Sequence, residues 1–234
     1  VAILIWGCVF CAIAALCIFL SSNYDREKRR YLILMESFAS LLLLMDAMAH
    51  IFSGYPGVPG SVMVRISSFL VFLLSDVVLL CFHIYVCVYL FSKRERRTLK
   101  RVKAGYVIAA AGVAFVVISQ FTHWYYYIDG DNCYHRAPLY IMSILFSAAG
   151  LLIDLTLLLQ YKKRVSRKLL FSMLSCIVLP AVAAAVQAFR YGMSLIVFSG
   201  GITMIILFIV TMTERNPAMY QLISRVANIK ERLP

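Results

Sequence analysis

Charge is scarce in this sequence, and acid is scarcest. Only 15% of its 234 residues are charged, with 11 Asp and Glu against 23 Lys and Arg. A soluble domain is about 25% charged and about 45–50% apolar. This chain is 62% hydrophobic, with a mean hydropathy of +0.85. So much apolar surface does not fit inside one soluble core of this size, which excludes an ordinary soluble enzyme. Metal-ligand motifs are lacking too. Cys8 and Cys11 form a C-x-x-C, but no second pair or His cluster completes a zinc site. No metal and no cofactor are therefore expected. Six of the seven cysteines fall in apolar stretches, where they read as small packing residues, and only Cys133 lies outside them.

What is abundant is apolar sequence in long runs. A bilayer-crossing helix needs roughly 20 mostly apolar residues. Seven stretches qualify: Val1–Leu20, Leu32–Ser53, Val62–Phe91, Ala104–Phe121, Leu139–Gln160, Leu169–Phe189 and Met193–Thr213. The runs are continuous rather than alternating, so they predict helices and not barrel strands. The third is long enough to tilt or to project from the membrane. The expected fold is an all-α membrane protein, a seven-transmembrane-helix bundle over 1–213. Residues 214–234 follow as a cytoplasmic linker, the start of a signalling helix.

The basic residues decide orientation. Twenty of the 23 lie in alternate connections and the tail: within Arg26–Arg30, Lys93–Lys103, Lys162–Lys168 and from Arg215 onward. Positive charge stays cytoplasmic, so the N-terminus is expected outside and the C-terminus inside. Charge divided among short loops argues against a nucleic-acid partner; the expected partner is the lipid bilayer. The chain opens at Val1 without a Met and stops at Pro234 in mid-pattern, as expected of a piece of a longer protein.

Ionisable residues at membrane depth are costly and usually face the bundle interior. The second span carries Glu36, Asp46 and His50; the third carries Arg65, Asp76 and His83. Separations of four, seven, eleven and fourteen residues are all close to whole helical turns, so each span has a polar stripe on one side. Asp154 adds a charge in the fifth span. Depth along the spans suggests an Asp46–Arg65 pair outside and a Glu36–His83–Asp154 cluster inside. Three readings of the stripes stand: polar glue between helices, a coupling network linked to a ligand, or a proton or ion pathway. His50 and His83 could add pH sensitivity.

The outer connection from Thr122 to Pro138 has four consecutive aromatics, Trp124 to Tyr127, before an Asp129-Gly130-Asp131-Asn132 turn. It reads as an interfacial aromatic belt or as a lid contacting a ligand through Tyr126, Asp129, His135 and Arg136. Asp129 and Asp131 lack the remaining oxygens of a calcium loop. Gly54–Gly60 is a tight connection rich in turn formers, and Pro180 can kink the sixth span. In the tail, Met219, Leu222, Val226, Ile229 and Leu233 recur at 3-4-3-4 spacing. That pattern suits either a surface amphipathic helix or a helix forming a homodimer.

Two seven-span receptor families do not fit. A rhodopsin needs a Lys in the last span, and Met193–Thr213 has none. Asn216-Pro-Ala-Met-Tyr220 spells the tail motif of G-protein-coupled receptors, but the third span ends in Phe-Ser-Lys-Arg, without their acidic-Arg-aromatic motif. Another likeness covers nearly the whole chain. Its residues are Met35-Glu36 with Asp46; Val64–Phe72; Tyr126-Tyr127-Ile128-Asp129 with Tyr134-His135-Arg136; and Leu179-Pro180, Gln187, Tyr191-Gly192 and Ser194-Leu195. On these the chain resembles the N-terminal multi-span sensory regions of bacterial membrane signalling proteins that carry GGDEF diguanylate cyclase or histidine kinase modules. It departs at Ser68, where Asn is usual, and it contains no GGDEF motif, phospho-accepting His or ATP-binding module. The resemblance implies a non-enzymatic input domain in a bacterial cytoplasmic membrane, relaying a small-molecule or peptide cue. A small transporter or channel using the intramembrane charges is the other expectation.

Overall fold

A computed structural model describes residues 1–21, 25–189 and 194–215. Eight helices run through them: α1 (Ala2–Leu20), α2 (Arg26–Phe52), α3 (Gly57–Leu90), α4 (Lys93–Thr98), α5 (Lys100–Thr122), α6 (Tyr140–Gln160), α7 (Arg167–Phe189) and α8 (Leu195–Arg215). All but the six-residue α4 are long and apolar enough to cross a membrane. The seven apolar runs are thus seven helices. The all-α expectation needs one amendment, because a short antiparallel hairpin, β1 (Tyr126–Ile128) and β2 (Tyr134–Arg136), joins α5 to α6.

Several helices outrun their apolar stretches. Asp25 caps α2 by accepting from the Glu27 and Lys28 amides, so that helix begins at Arg26 rather than Leu32. α3 begins at Gly57 because the Gly54–Gly60 segment is only half connection. The Tyr55 carbonyl oxygen turns back to 2.0 Å from where a Cβ on Gly60 would stand, so this first turn accepts only glycine. At 34 residues α3 is about 51 Å long, against a hydrocarbon core of about 30 Å. The α3–α5 connection holds α4, fixed by a capping box in which Ser92 and Glu95 bond each other's backbone amides.

α2 and α3 pair along most of their length and form the spine. α1 lies on α2, α8 packs on α1 and α2, and α7 packs on α8. On the other flank α5 and α6 pack on α3 and on each other. Leu43 of α2 wedges between Gly7 of α1 and Gly201 of α8, whose missing side chains let these helices close in. Phe82 and Tyr85 of α3 are fully buried in the core. Outward faces stay apolar: Phe121 is 83% exposed and Leu20 and Phe171 71% each. Such surface is compatible with lipid and unfavourable in water.

The bundle has two unlike ends. At one, Arg96 bonds Glu27 at 2.8 Å, while Arg164 bonds Glu95 at 3.0 Å and the Leu90 carbonyl at 2.9 Å. Ser166 and Glu214 hydrogen-bond there too, placing the end of α8 beside the start of α7. This is the basic end; the hairpin marks the other.

Candidate functional site: two polar stripes and a hairpin cap

The α3 stripe is assembled at the α3–α5–α6 junction. His83 Nδ1 lies 2.6 Å from Asp154 Oδ1 of α6, and its Nε2 lies 3.1 Å from the Val102 carbonyl of α5. A carbonyl only accepts, so Nε2 carries a hydrogen. One further proton sits between Nδ1 and the carboxylate. The pair is therefore net neutral, whichever partner holds that proton. The thiol of Cys87 and the edge-on ring of Tyr106 complete the His83 surroundings. The fit is close: a Cβ on Gly105 would stand 2.3 Å from the imidazole.

About two turns toward the hairpin, Asp76 shares a cavity with this pair. The cavity gives the centre of a water molecule about 20 Å³, enough for about one water. Its polar lining is Asp76, His83, Asp154 and Ser147; Leu79, Ile108 and Phe146 are among its apolar walls. Gly112 leaves room for Asp76, whose Oδ2 would lie 3.0 Å from a Cβ there. Above stands Tyr125, 1% exposed, its hydroxyl without a hydrogen-bond partner among the described residues. Burial, and then the charge of Asp76, push that hydroxyl up to about 12.

The α2 stripe faces the opposite flank. Glu36 is fully buried, and neither carboxyl oxygen has a hydrogen-bond partner among the described residues. Cys11 of α1 and Cys176 of α7 lie within electrostatic reach of it. The expected Glu36–His83–Asp154 cluster is corrected accordingly: His83 and Asp154 meet, and Glu36 is turned away from them by the rotation of α2 against α3. The expected Asp46–Arg65 pair does not form either. Asp46 is buried 3.9 Å from His50, whose Nε2 is 2.8 Å from Ser194 Oγ at the start of α8. Arg65 is exposed on α3, with Tyr126 in its electrostatic range.

The hairpin is built by its turn. Asp129 Oδ1 accepts from the Asp131 and Cys133 amides at 3.0 and 2.8 Å, and its Oδ2 meets His135 Nε2 at 2.7 Å. Asn132 takes a left-handed backbone (φ 61°), which Asn tolerates. Across the strands Tyr127 stacks on its register partner His135 at 5.2 Å. These contacts turn an expected loop into strands. The available signals were the aromatic run and the Asp-Gly pair.

The same hairpin is anchored widely. Asn132 donates to the Tyr55 carbonyl at 2.9 Å, and its own carbonyl accepts from the Gly54 amide at 3.0 Å. Tyr126 stacks on Phe72 of α3 at 5.2 Å and donates to Gln120 of α5 at 3.1 Å. Arg136 lies over the Tyr140 ring of α6 and donates to the Gln187 carbonyl of α7 at 3.5 Å. Gln187 in turn accepts from the Ile196 amide of α8 at 3.0 Å. Of the sequence-selected residues, Tyr126, Asp129, His135 and Arg136 are thus brought together in one cap.

The cap has a defined acid limit. Its backbone amides, led by Cys133, and then His135 hold the Asp129 carboxyl below the usual carboxylate range. A carboxyl lowered on folding stabilises the fold above its unfolded pKa, and that contribution disappears as pH falls through the lowered one. Protection factors at the Asp131 and Cys133 amides, which remove the intrinsic pH dependence of exchange, should therefore be high at neutral pH and fall once pH drops below the ordinary carboxylate range. In Asp129→Asn the acid transition should vanish.

No family model, curated protein or solved structure matches this chain. Among the described residues no group of three His, Cys, Asp or Glu is placed to hold a metal ion. The heptad-like residues Met219, Leu222, Val226, Ile229 and Leu233, with Tyr191-Gly192 and Asn216–Tyr220, lie outside the described residues.

Proposed function

We propose that this chain is a non-catalytic sensory input domain of a bacterial cytoplasmic membrane, with its N-terminus outside and its C-terminus in the cytoplasm. The basic end then faces the cytosol, following the positive-inside rule, and the hairpin faces out. The observation that carries the reading is the anchoring of the hairpin to both flanks of the spine. It touches α3, α5 and α6 on one side and α7 on the other, directly above the Asp76–His83–Asp154 line. A small molecule or peptide that prefers one arrangement of this cap shifts the bundle by its difference in affinity for the two states. α8, tied to the cap through Gln187, carries that shift to a cytoplasmic module. The resemblance to signalling input regions supports the same reading.

The test is a fusion of residues 1–234 to a diguanylate cyclase module, with cyclic dinucleotide measured in cells. Tyr126→Ala and Arg136→Ala, which cut the cap from α5 and α7, should change output at least several-fold at equal membrane levels. Output indistinguishable from wild type in both would defeat the proposal. The intramembrane acid–His line also suits a small transporter or channel. A cavity with room for about one water argues against solute passage, and flux of entrapped solute from liposomes carrying the chain would overturn the sensory reading.

A further inference from the structure

Asp76, like Glu36 on the opposite flank, is a carboxyl for which the structure supplies no counterpart among the described residues. Its neighbour, the His83–Asp154 pair, already holds its own bridging proton and is net neutral. No hydrogen bond or ion pair reaches Asp76 among the described residues, although it lies half-buried at mid-helix, where an ionised carboxylate is expensive. Every element around it is uncharged or already engaged. From α3 come His83 and the Cys87 thiol, and from α6 come Ser147 and Asp154. α5 presents Gly105 and Gly112, with Tyr106 edge-on to His83. From the hairpin comes Tyr125, buried with an unpartnered hydroxyl. Arg65, three turns nearer the hairpin, is exposed.

The charge needs a partner small enough for about 20 Å³. A hard metal cation needs about six or more oxygen ligands. Asp76, Asp154 and Ser147 do not supply them, and the rest of the lining is largely apolar. A proton needs one oxygen, and a water in the cavity finds the two to four polar partners it requires in those same three residues. We propose that Asp76 is a proton-binding site, completed by a single water between it and the His83–Asp154 pair, and that protonation sets how closely α3 packs on α5. The step is simple: one proton leaves bulk water, the Asp76 carboxylate becomes the acid, and nothing else is transferred. Gly112 makes the packing responsive, because the α5 backbone closes directly over the carboxyl.

This extends the sensory reading by naming protons as a cue, but the chemistry at Asp76 is measurable without any output module. The full chain is placed in vesicles, and infrared difference spectra are recorded as pH is stepped from mildly alkaline to mildly acidic. Wild type should gain a carboxylic-acid carbonyl band that titrates with pH and does not respond to sodium at fixed pH. Asp76→Asn should lose the titrating component while keeping the wild-type helix content. Gly112→Ala, which leaves the carboxyl in place but crowds it, should move the midpoint by about one pH unit, the size of an ordinary environmental shift. A titrating band whose amplitude is undiminished in Asp76→Asn, that sodium abolishes, or that is unmoved by Gly112→Ala overturns the assignment. A titrating band together with unresponsive fusion output would leave the proton site standing and remove only the sensory reading.

Discussion

Gly105→Ala is expected to destabilise the bundle by about 4 kcal/mol or more, beyond an ordinary small-to-large change. Overpacking alone costs about 1–3 kcal/mol. Here the new methyl stands 2.3 Å from the His83 ring, and the ring is fixed at both nitrogens. Asp154 holds one nitrogen and the Val102 carbonyl the other. Moving the imidazole away breaks both bonds and strands a buried carboxylate, an outcome that adds further kilocalories. Gly150 lines the same cavity from α6, yet a Cβ there meets nothing within 4 Å. Gly150→Ala should therefore melt within about 0.5 kcal/mol of wild type. Thermal loss of helical circular dichroism in lipid vesicles separates the two. Equal melting of both variants would show that His83 does not lie against α5 at Gly105.

The second large effect belongs to the His83–Asp154 pair itself. His83→Leu leaves a buried acid and Asp154→Leu a buried base, and each is expected to cost about 3 kcal/mol. The double variant removes both groups and leaves an apolar contact of similar volume, so it should recover about 2 kcal/mol of the summed loss. Coupling of that size in a double-mutant cycle is the signature of direct contact. Additive losses would mean that the two residues act separately. The His83–Cys87 contact at 3.7 Å supplies a weaker comparison, because a thiol is a poor donor and carries no charge to strand.

Much of this architecture is legible in the chain because the bilayer imposes so simple a length rule. Seven apolar runs became seven helices. Their ends were less legible, since hydropathy is blind to polar turns: Asp25 caps α2 seven residues before its apolar run begins. At the site, depth along a helix could be counted but rotation about its axis could not. His83 and Asp154 share a depth and meet, as counting suggested. Glu36 shares that depth as well, yet it points toward α1 and α7, because the phase of α2 against α3 is set by packing such as Leu43 between Gly7 and Gly201. Arg65 failed for the same reason. The hairpin escaped because three-residue strands have too little alternation to register. Its stability comes from Asp129 and from distant partners such as Tyr55 and Gln187, which no local pattern announces.

The latch at the basic end bears on the order of assembly. Arg96 reaches back to Glu27 and Glu95 reaches forward to Arg164, each across 69 residues of chain. Every residue in those bonds is synthesised before α7 begins at Arg167. The latch can therefore close while the last two helices are still being made. α7 and α8 then arrive as a hairpin that must find its place on a scaffold already locked at one end, with α8 finding α1 and α2 as its docking face. Translation thus hands the bundle its helices in an order that matches its connectivity, and the pair nearest the C-terminus is the last to join.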